Sequence, residues 1–219
     1  MKDQSGKSGR DLLKRILRDL HGIPPLPHVI QKVMTMTQNP DVTVDDLNEV
    51  IVMDQALTTN VLKLCNSAYY GLPRQIASIK QALSYLGFHT IRNLVLTSFL
   101  SDVYGGAVAA PGLNPGGLWE HSIAAAIACQ LLTQKLGRPD AYDISFTCGL
   151  LHDVGKTILR KYASDVEPEI LGIVQSKGKS WFEAEREVLG FDHAALGAKV
   201  ADVWNFPSVL VQAIGLHHQ

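Results

Sequence analysis

GLLHDVGKTIL, residues 149–159, sets an imidazole and a carboxylate side by side, His152 and Asp153, inside an apolar run. Gly155 and Lys156 follow at once. Neither polar group is stable in a core without a partner, so the pair needs a reason. Three readings are open: a metal site, a catalytic site, or an inherited site in a protein that now does something else. Neighbours on a helix point about 100° apart, so both reach one ligand only from a crease. Gly155 can end the helix there and supply that crease.

Outward from this stretch the pattern is helical in both directions. DLLKRILRDL carries apolar residues at 12, 13, 16, 17 and 20, a 3.6-residue stripe. Pro24, Pro25 and Pro27 break it before HVIQKVMTMTQ resumes. Thr43 with Asp46 resembles a capping box, Asp54 is placed as an N-cap, and Ser78 precedes SIKQALSYLG as another cap. HTIRNLVLTSFLSDVY is a long amphipathic segment. The second half reads as LWEHSIAAAIACQLLTQKL, AYDISFTCGLLHD, a short KTILRKYA, DVEPEILGIVQSK, WFEAEREVL, AALGAKVADVW and SVLVQAIGLHH. No alternating strand pattern occurs, so the expected fold class is all-α.

Residues 105–117, GGAVAAPGLNPGG, hold five glycines and two prolines and cannot sustain a helix or strand. They are expected to be a linker or flap. The expected organisation is a flexible start over 1–9, an N-terminal helical subdomain over 10–104, and a second helical subdomain over 118–219.

With 219 residues, the chain can bury one large core or two small ones. Twenty basic residues against twenty-one acidic ones leave a net charge of -1, which offers no field for nucleic acid or an anionic membrane. No apolar run reaches the roughly 18–20 residues of a membrane span. The polar start MKDQSGKSGR has no secretion-signal pattern, and the expectation is a cytoplasmic protein. Cys65, Cys129 and Cys148 lie far apart in apolar helical patterns and read as small core residues in a reducing compartment.

Of the eight histidines, His21, His28 and His89 have no acidic or histidine neighbour at ligand spacing. The other five, His121, His152, His193, His217 and His218, all fall in the second half near expected helix ends, and Asp153 joins them. Imidazole and carboxylate together suit Zn, Fe, Mn or Ni, and facing helices of a bundle are a normal place to assemble them. Glu120, Asp192 and Glu187 are candidate groups to orient the rings.

The order His121, His152-Asp153 with Gly155-Lys156, His193, His217-His218 resembles the HD superfamily of metal-dependent phosphohydrolases, most closely the HD-GYP cyclic di-GMP phosphodiesterases. The segments IPPLPHVIQKVM, DQALTTNVLKLCNSAYYG and SIKQALSYLGFHTIRNLVL narrow this to a resemblance to the HDOD domain, the HD-related output domain of bacterial signalling proteins. LWEHSIAAAIA, CGLLHDVGK, FDHAALGAKVADVWNFP and AIGLHH fit it too, so the likeness runs from about residue 20 to 219.

The resemblance implies a multi-helical HD-like bundle with an N-terminal helical subdomain. It implies metal ligands at His121, His152, Asp153, His193, His217 and His218. Lys156 would meet a substrate phosphate and Asp153 would bridge ions, both as catalytic residues if the site turns over. It further implies a regulatory module with a signalling protein as partner, or a nucleotide or cyclic dinucleotide as ligand, while the near-neutral charge argues against nucleic acid or membrane as partner. The alternative is a metal-dependent phosphohydrolase. Two features depart from the phosphodiesterase pattern: there is no glycine-tyrosine-proline motif, and the last acidic residue, Asp202, precedes His217.

Overall fold

In the computed structural model, residues 12, 14, 16, 26–104, 117–138 and 141–219 are described. The start expected to be flexible over 1–9 lies outside them, as does the 105–117 linker save Gly117. All regular structure among the described residues is helical, and the fold class is all-α. No helix among them is long and apolar enough to cross a membrane.

One compact unit spans Leu26–Gly105. It holds α1 (His28–Met36), α2 (Val44–Val52), α3 (Gln55–Cys65) and the long α4 (Ile79–Tyr104), against which the other three pack. Residues 10–25, expected with this unit, fall almost wholly outside the described set. Local chemistry sets the boundaries. Thr43 and Asp46 form a full reciprocal capping box at α2, and the Asp54 carboxylate accepts from the Leu57 amide at the start of α3. Gly87 breaks α4 with φ 77°, a left-handed value that costs little without a Cβ, so SIKQALSYLG and HTIRNLVLTSFLSDVY are two helical stretches joined at a kink.

The second unit comprises Met1–Pro25 and Gly106–Gln219, so the described residues 12, 14 and 16 go with it and not with 26–105. Its helices are α5 (Gly117–Lys135), α6 (Tyr142–Leu151), α7 (Val154–Ala163), α8 (Glu167–Lys177), α9 (Trp181–Leu189), α10 (His193–Val203) and α11 (Ser208–Leu216). Helix α6 packs on α5 and α11, α10 on α7 and α11, and α9 on α8 and α10. The result is a chain of contacts, α5–α6–α11–α10–α7, that brings helix ends together.

Small residues set how close those helices come. A Cβ on Gly155 would lie 1.9 Å from the His193 carbonyl oxygen, and one on Gly149 would lie 2.6 Å from the Ala126 Cα. Gly197 sits against the Gly155 amide, 3.2 Å from where its own Cβ would be. Gly155 therefore does not end the preceding helix, as its sequence context suggested. The break falls earlier, at His152 and Asp153, and Gly155 lies inside α7, where it lets α7 touch the first turn of α10.

The Gly155→Ala substitution must push a backbone carbonyl aside and is expected to cost about 1–3 kcal/mol in urea unfolding, as overpacked cores do. Gly172, on α8, is the control, because a methyl added there would meet nothing within 4 Å. Gly172→Ala is expected to gain about 0.5–1 kcal/mol from helix propensity.

Candidate metal centre

Five helix ends deliver the polar cluster of the second unit. His121 stands in the first turns of α5, His152 caps the C-terminus of α6, and Asp153 occupies the N-cap of α7. His193 opens α10, and His217 and His218 close α11. The Asp153 side chain makes no capping bond to α7, though an N-cap aspartate ordinarily does. It points instead into the histidines and is 1% exposed.

The two carboxylate oxygens divide the imidazoles between them. Oδ1 faces His193 Nε2 at 3.3 Å and His217 Nε2 at 3.7 Å. Oδ2 faces His152 Nε2 at 3.3 Å, His121 Nε2 at 3.5 Å and the Lys156 ammonium at 2.7 Å. His218 Nε2 lies 2.8 Å from His193 Nε2, and His121 Nε2 lies 3.1 Å from His152 Nε2. Two ligand-like groups result, Asp153-His193-His217-His218 and His121-His152-Asp153, each with its donor atoms within 4.8 Å of one another. Asp153 belongs to both.

Three of the rings are aimed by their other nitrogen. His152 Nδ1 donates to the Gly149 carbonyl at 2.7 Å, and His217 Nδ1 donates to the Ile214 carbonyl at 2.7 Å. His193 Nδ1 donates to the Glu185 carboxylate at 2.6 Å, which also accepts from the His193 backbone N–H at 2.8 Å. A carbonyl or carboxylate can only accept, so Nδ1 carries the proton in each and Nε2 presents a lone pair. This is the arrangement that surrounds metal-ligating histidines.

With these three rings neutral, their lone pairs converge on the Asp153 carboxylate. Asp153 Oδ1 and His217 Nε2 are buried and make no hydrogen bond with acceptable geometry. Orphaned buried acceptors of this kind call for a cation, and imidazole with carboxylate is a donor set for Fe, Mn, Zn or Ni. The residues fit a divalent ion in either group, or one in each with Asp153 between them.

The electrostatics are consistent with that fit. Burial pushes the Asp153 carboxyl up, but His152, His193 and His217 on it outweigh burial and hold it far below the usual carboxylate range. Burial together with His217 and His193 drives His218 down to about 4, so its ring is neutral near pH 7 and able to ligate. Burial also lowers His121, with Asp153 opposing. Burial lowers His193 too, but Asp153 and Glu185 overcome it and raise the ring above its ordinary value.

Every residue expected at the site is therefore in one cluster: His121, His152, Asp153, Lys156, His193, His217 and His218. His28 and His89 lie in the other compact unit and belong to neither group. His21 lies outside the described residues. The candidate orienting acids fare differently. Asp192 caps α10 through the Ala195 amide and takes the Arg186 guanidinium, while Glu187 is held by Lys177 and Lys179. Glu120 is exposed. The acid that orients a ring is Glu185, which the spacing to His193 concealed because a turn at Gly190 lies between them. A signal for it existed: Glu185 sits on the buried face of α9 with Ala184, Val188 and Leu189, where a charge needs a partner. Burial raises the Cys148 thiol to about 11, which makes it an inert neighbour.

These features define a class: an all-helical domain built around a shared histidine–aspartate cluster. The HDOD domain family model matches residues 23–219, and the chain belongs to that family. Among solved structures, it is similar to an HDOD domain protein of unknown function from Geobacter sulfurreducens, with TM-score 0.82 and 25% identity, covering 97% of this chain and 70% of that one. It is also similar to a protein from Shewanella amazonensis SB2B described as a candidate phosphohydrolase, with TM-score 0.76 and 31% identity, covering 93% and 71%. A curated relative from Treponema pallidum (strain Nichols), an uncharacterized protein, is 26% identical over 196 residues. This chain spans 37% of that relative's length.

The opposed shifts yield a pH profile for the metal-free protein. His218 and His121 are depressed in the fold, so between their folded values and the ordinary 6.5 the unfolded chain binds protons that the folded chain does not. Stability therefore falls as pH drops below 6.5. His193 is raised, and its contribution, full below 6.5, is lost as pH rises through its folded value. Urea unfolding after chelator treatment is expected to show a maximum near 6.5. His218→Gln should flatten the acid limb and Glu185→Gln the alkaline limb.

Proposed function

We propose that this chain is a regulatory module of a signalling protein that acts by docking a protein partner, with a divalent-metal centre holding its histidine-rich unit together. The observation that carries the reading is the buried Asp153 carboxylate shared by two histidine groups, with the Nε2 atoms of His121, His152, His193 and His217 facing it and His218 joined through His193. His121, His152, Asp153, His193, His217 and His218 would hold Fe, Mn, Zn or Ni. The Treponema relative supports a module, since the matching stretch there is part of a longer chain. Nothing in composition or charge favours nucleic acid as the partner.

Lys156 supports a structural over a hydrolytic centre. Its ammonium is bonded to Asp153 Oδ2 at 2.7 Å and neutralises the carboxylate that would bridge two ions. To meet a phosphate it would have to leave that oxygen. A second reading, a metal-dependent phosphohydrolase acting on a nucleotide or cyclic dinucleotide, is favoured by one feature: the His121 side chain is half exposed beside the cluster, and His218 is exposed as well. A bound divalent ion would supply an acidified water and a clamp for phosphate oxygens there. In that case Lys156 would offset phosphoryl charge and the Nδ1-anchored histidines would keep the ligand geometry rigid.

Elemental analysis of the purified protein is expected to find a first-row divalent metal, absent from Asp153→Asn. That substitution keeps the side chain's shape and removes its charge. Chelation should lower the thermal midpoint of the wild type and leave Asp153→Asn unmoved, because the ion stabilises only a protein that binds it. With Mn or Fe supplied, hydrolysis of a chromogenic phosphodiester and of a cyclic dinucleotide should stay at the Asp153→Asn level. Turnover lost in both Asp153→Asn and Lys156→Met would install the hydrolase reading instead.

A further inference from the structure

His218 lacks what the other rings of its group possess. His193 and His217 are each fixed by an Nδ1–H bond to an oxygen, whereas His218 has no such anchor among the described residues. Its contact with His193 is nitrogen to nitrogen and cannot by itself hold the plane of the ring. The plane is held by an aromatic face. Phe182, on α9, stacks on His218 with centroids 4.5 Å apart and planes 11° from parallel.

The plate is itself supported. One turn further along α9 the Arg186 guanidinium lies 5.3 Å from the Phe182 ring centre, and Arg186 Nε donates to Asp192 Oδ2. Asp192 caps α10, whose first residue is His193. A column therefore runs from the cap of α10 through Arg186 and Phe182 to His218. Phe182, Glu185 and Arg186 are spaced i, i+3, i+4 and share one face of α9. Glu185 aims His193 from that same face.

We propose that Phe182 is the positioning residue for His218, so that α9, which contributes no ligand of its own, sets both imidazoles that face each other in the Asp153-His193-His217-His218 group. The stacking sets the plane of the ring and with it the line from His218 Nε2 to His193 Nε2, 2.8 Å away. The role follows from geometry on α9, while its consequence for a cation rests on the metal-centre reading above.

Two measurements separate these levels. In metal-free wild type, the His218 ring protons, assigned by their loss in His218→Gln, are expected to resonate upfield of the other histidines from the Phe182 ring current. Unshifted protons would overturn the proposal outright, with or without metal. The second measurement is titration with Co(II), read by its visible absorption. Wild type is expected to take up Co(II), and Phe182→Leu, which keeps apolar bulk but not the flat face, to bind one ion about 10- to 100-fold more weakly with an altered spectrum. Phe182→Tyr should restore both. A Phe182→Leu protein with wild-type affinity and spectrum would overturn the proposal, since a purely structural role moves the unfolding midpoint alone. Wild type that takes up no Co(II) would remove the metal-centre reading, and the ring-current shift would then decide the positioning role by itself.

Discussion

The second unit is organised by one buried negative charge. The Asp153 carboxylate is excluded from water at a helix junction, and an ionised carboxylate in such a place is unstable unless charge and hydrogen-bond donors surround it. Lys156 supplies a fixed positive charge from one turn along α7, and the N-terminus of α7 adds its partial charge. These two do not satisfy both oxygens, since Oδ1 stays without a hydrogen bond while imidazole nitrogens face it. The converging lone pairs make sense as a cradle for a cation, which would turn them into ligands.

That cradle depends on backbone proximity as much as on side chains. An imidazole reaches only a few ångströms from its own helix, so the helices must meet closely at their ends. Gly155 and Gly197 allow α7 and α10 to touch, and Gly149 does the same for α6 against α5. A methyl on Gly155 or Gly149 would run into the facing backbone and push that helix end away, while one on Gly197 would ask its neighbours to give by only a few tenths of an ångström. Glycines in this unit are therefore part of the site, although none carries chemistry.

Rings are aimed by three different means. His152 and His217 each bond a backbone carbonyl three residues earlier, a device local to a helix C-terminus. His193 uses a buried carboxylate from another helix, and His218 an aromatic face from that same helix. The last two make α9 a supporting element, which explains why a charged residue, Glu185, occupies its buried side and a half-buried ring, Phe182, stands one turn before it. Membership of the HDOD family accords with a domain whose helical frame is kept and whose use varies, for fold alone does not dictate chemistry.

Much of this was legible in residue order. Helical periodicity, caps at Thr43, Asp54 and Ser78, and the absence of alternation were enough for an all-α chain, because those signals act over one or two turns. Five histidines and one aspartate near helix ends pointed to the cluster, and each of them is in it. What sequence could not decide were relations across helices. Gly155 looked like a helix terminator and is a contact point, since its neighbour His193 is remote along the chain. Glu187 looked suited to orient an imidazole, yet Glu185 does so, because two residues of difference on a helix turn a side chain from solvent to core, and Asp192, though buried, is taken up by the α10 cap and Arg186. The division of Asp153 between two histidine groups was likewise set by packing alone, as only the crossing of α7 and α10 fixes which oxygen each ring faces.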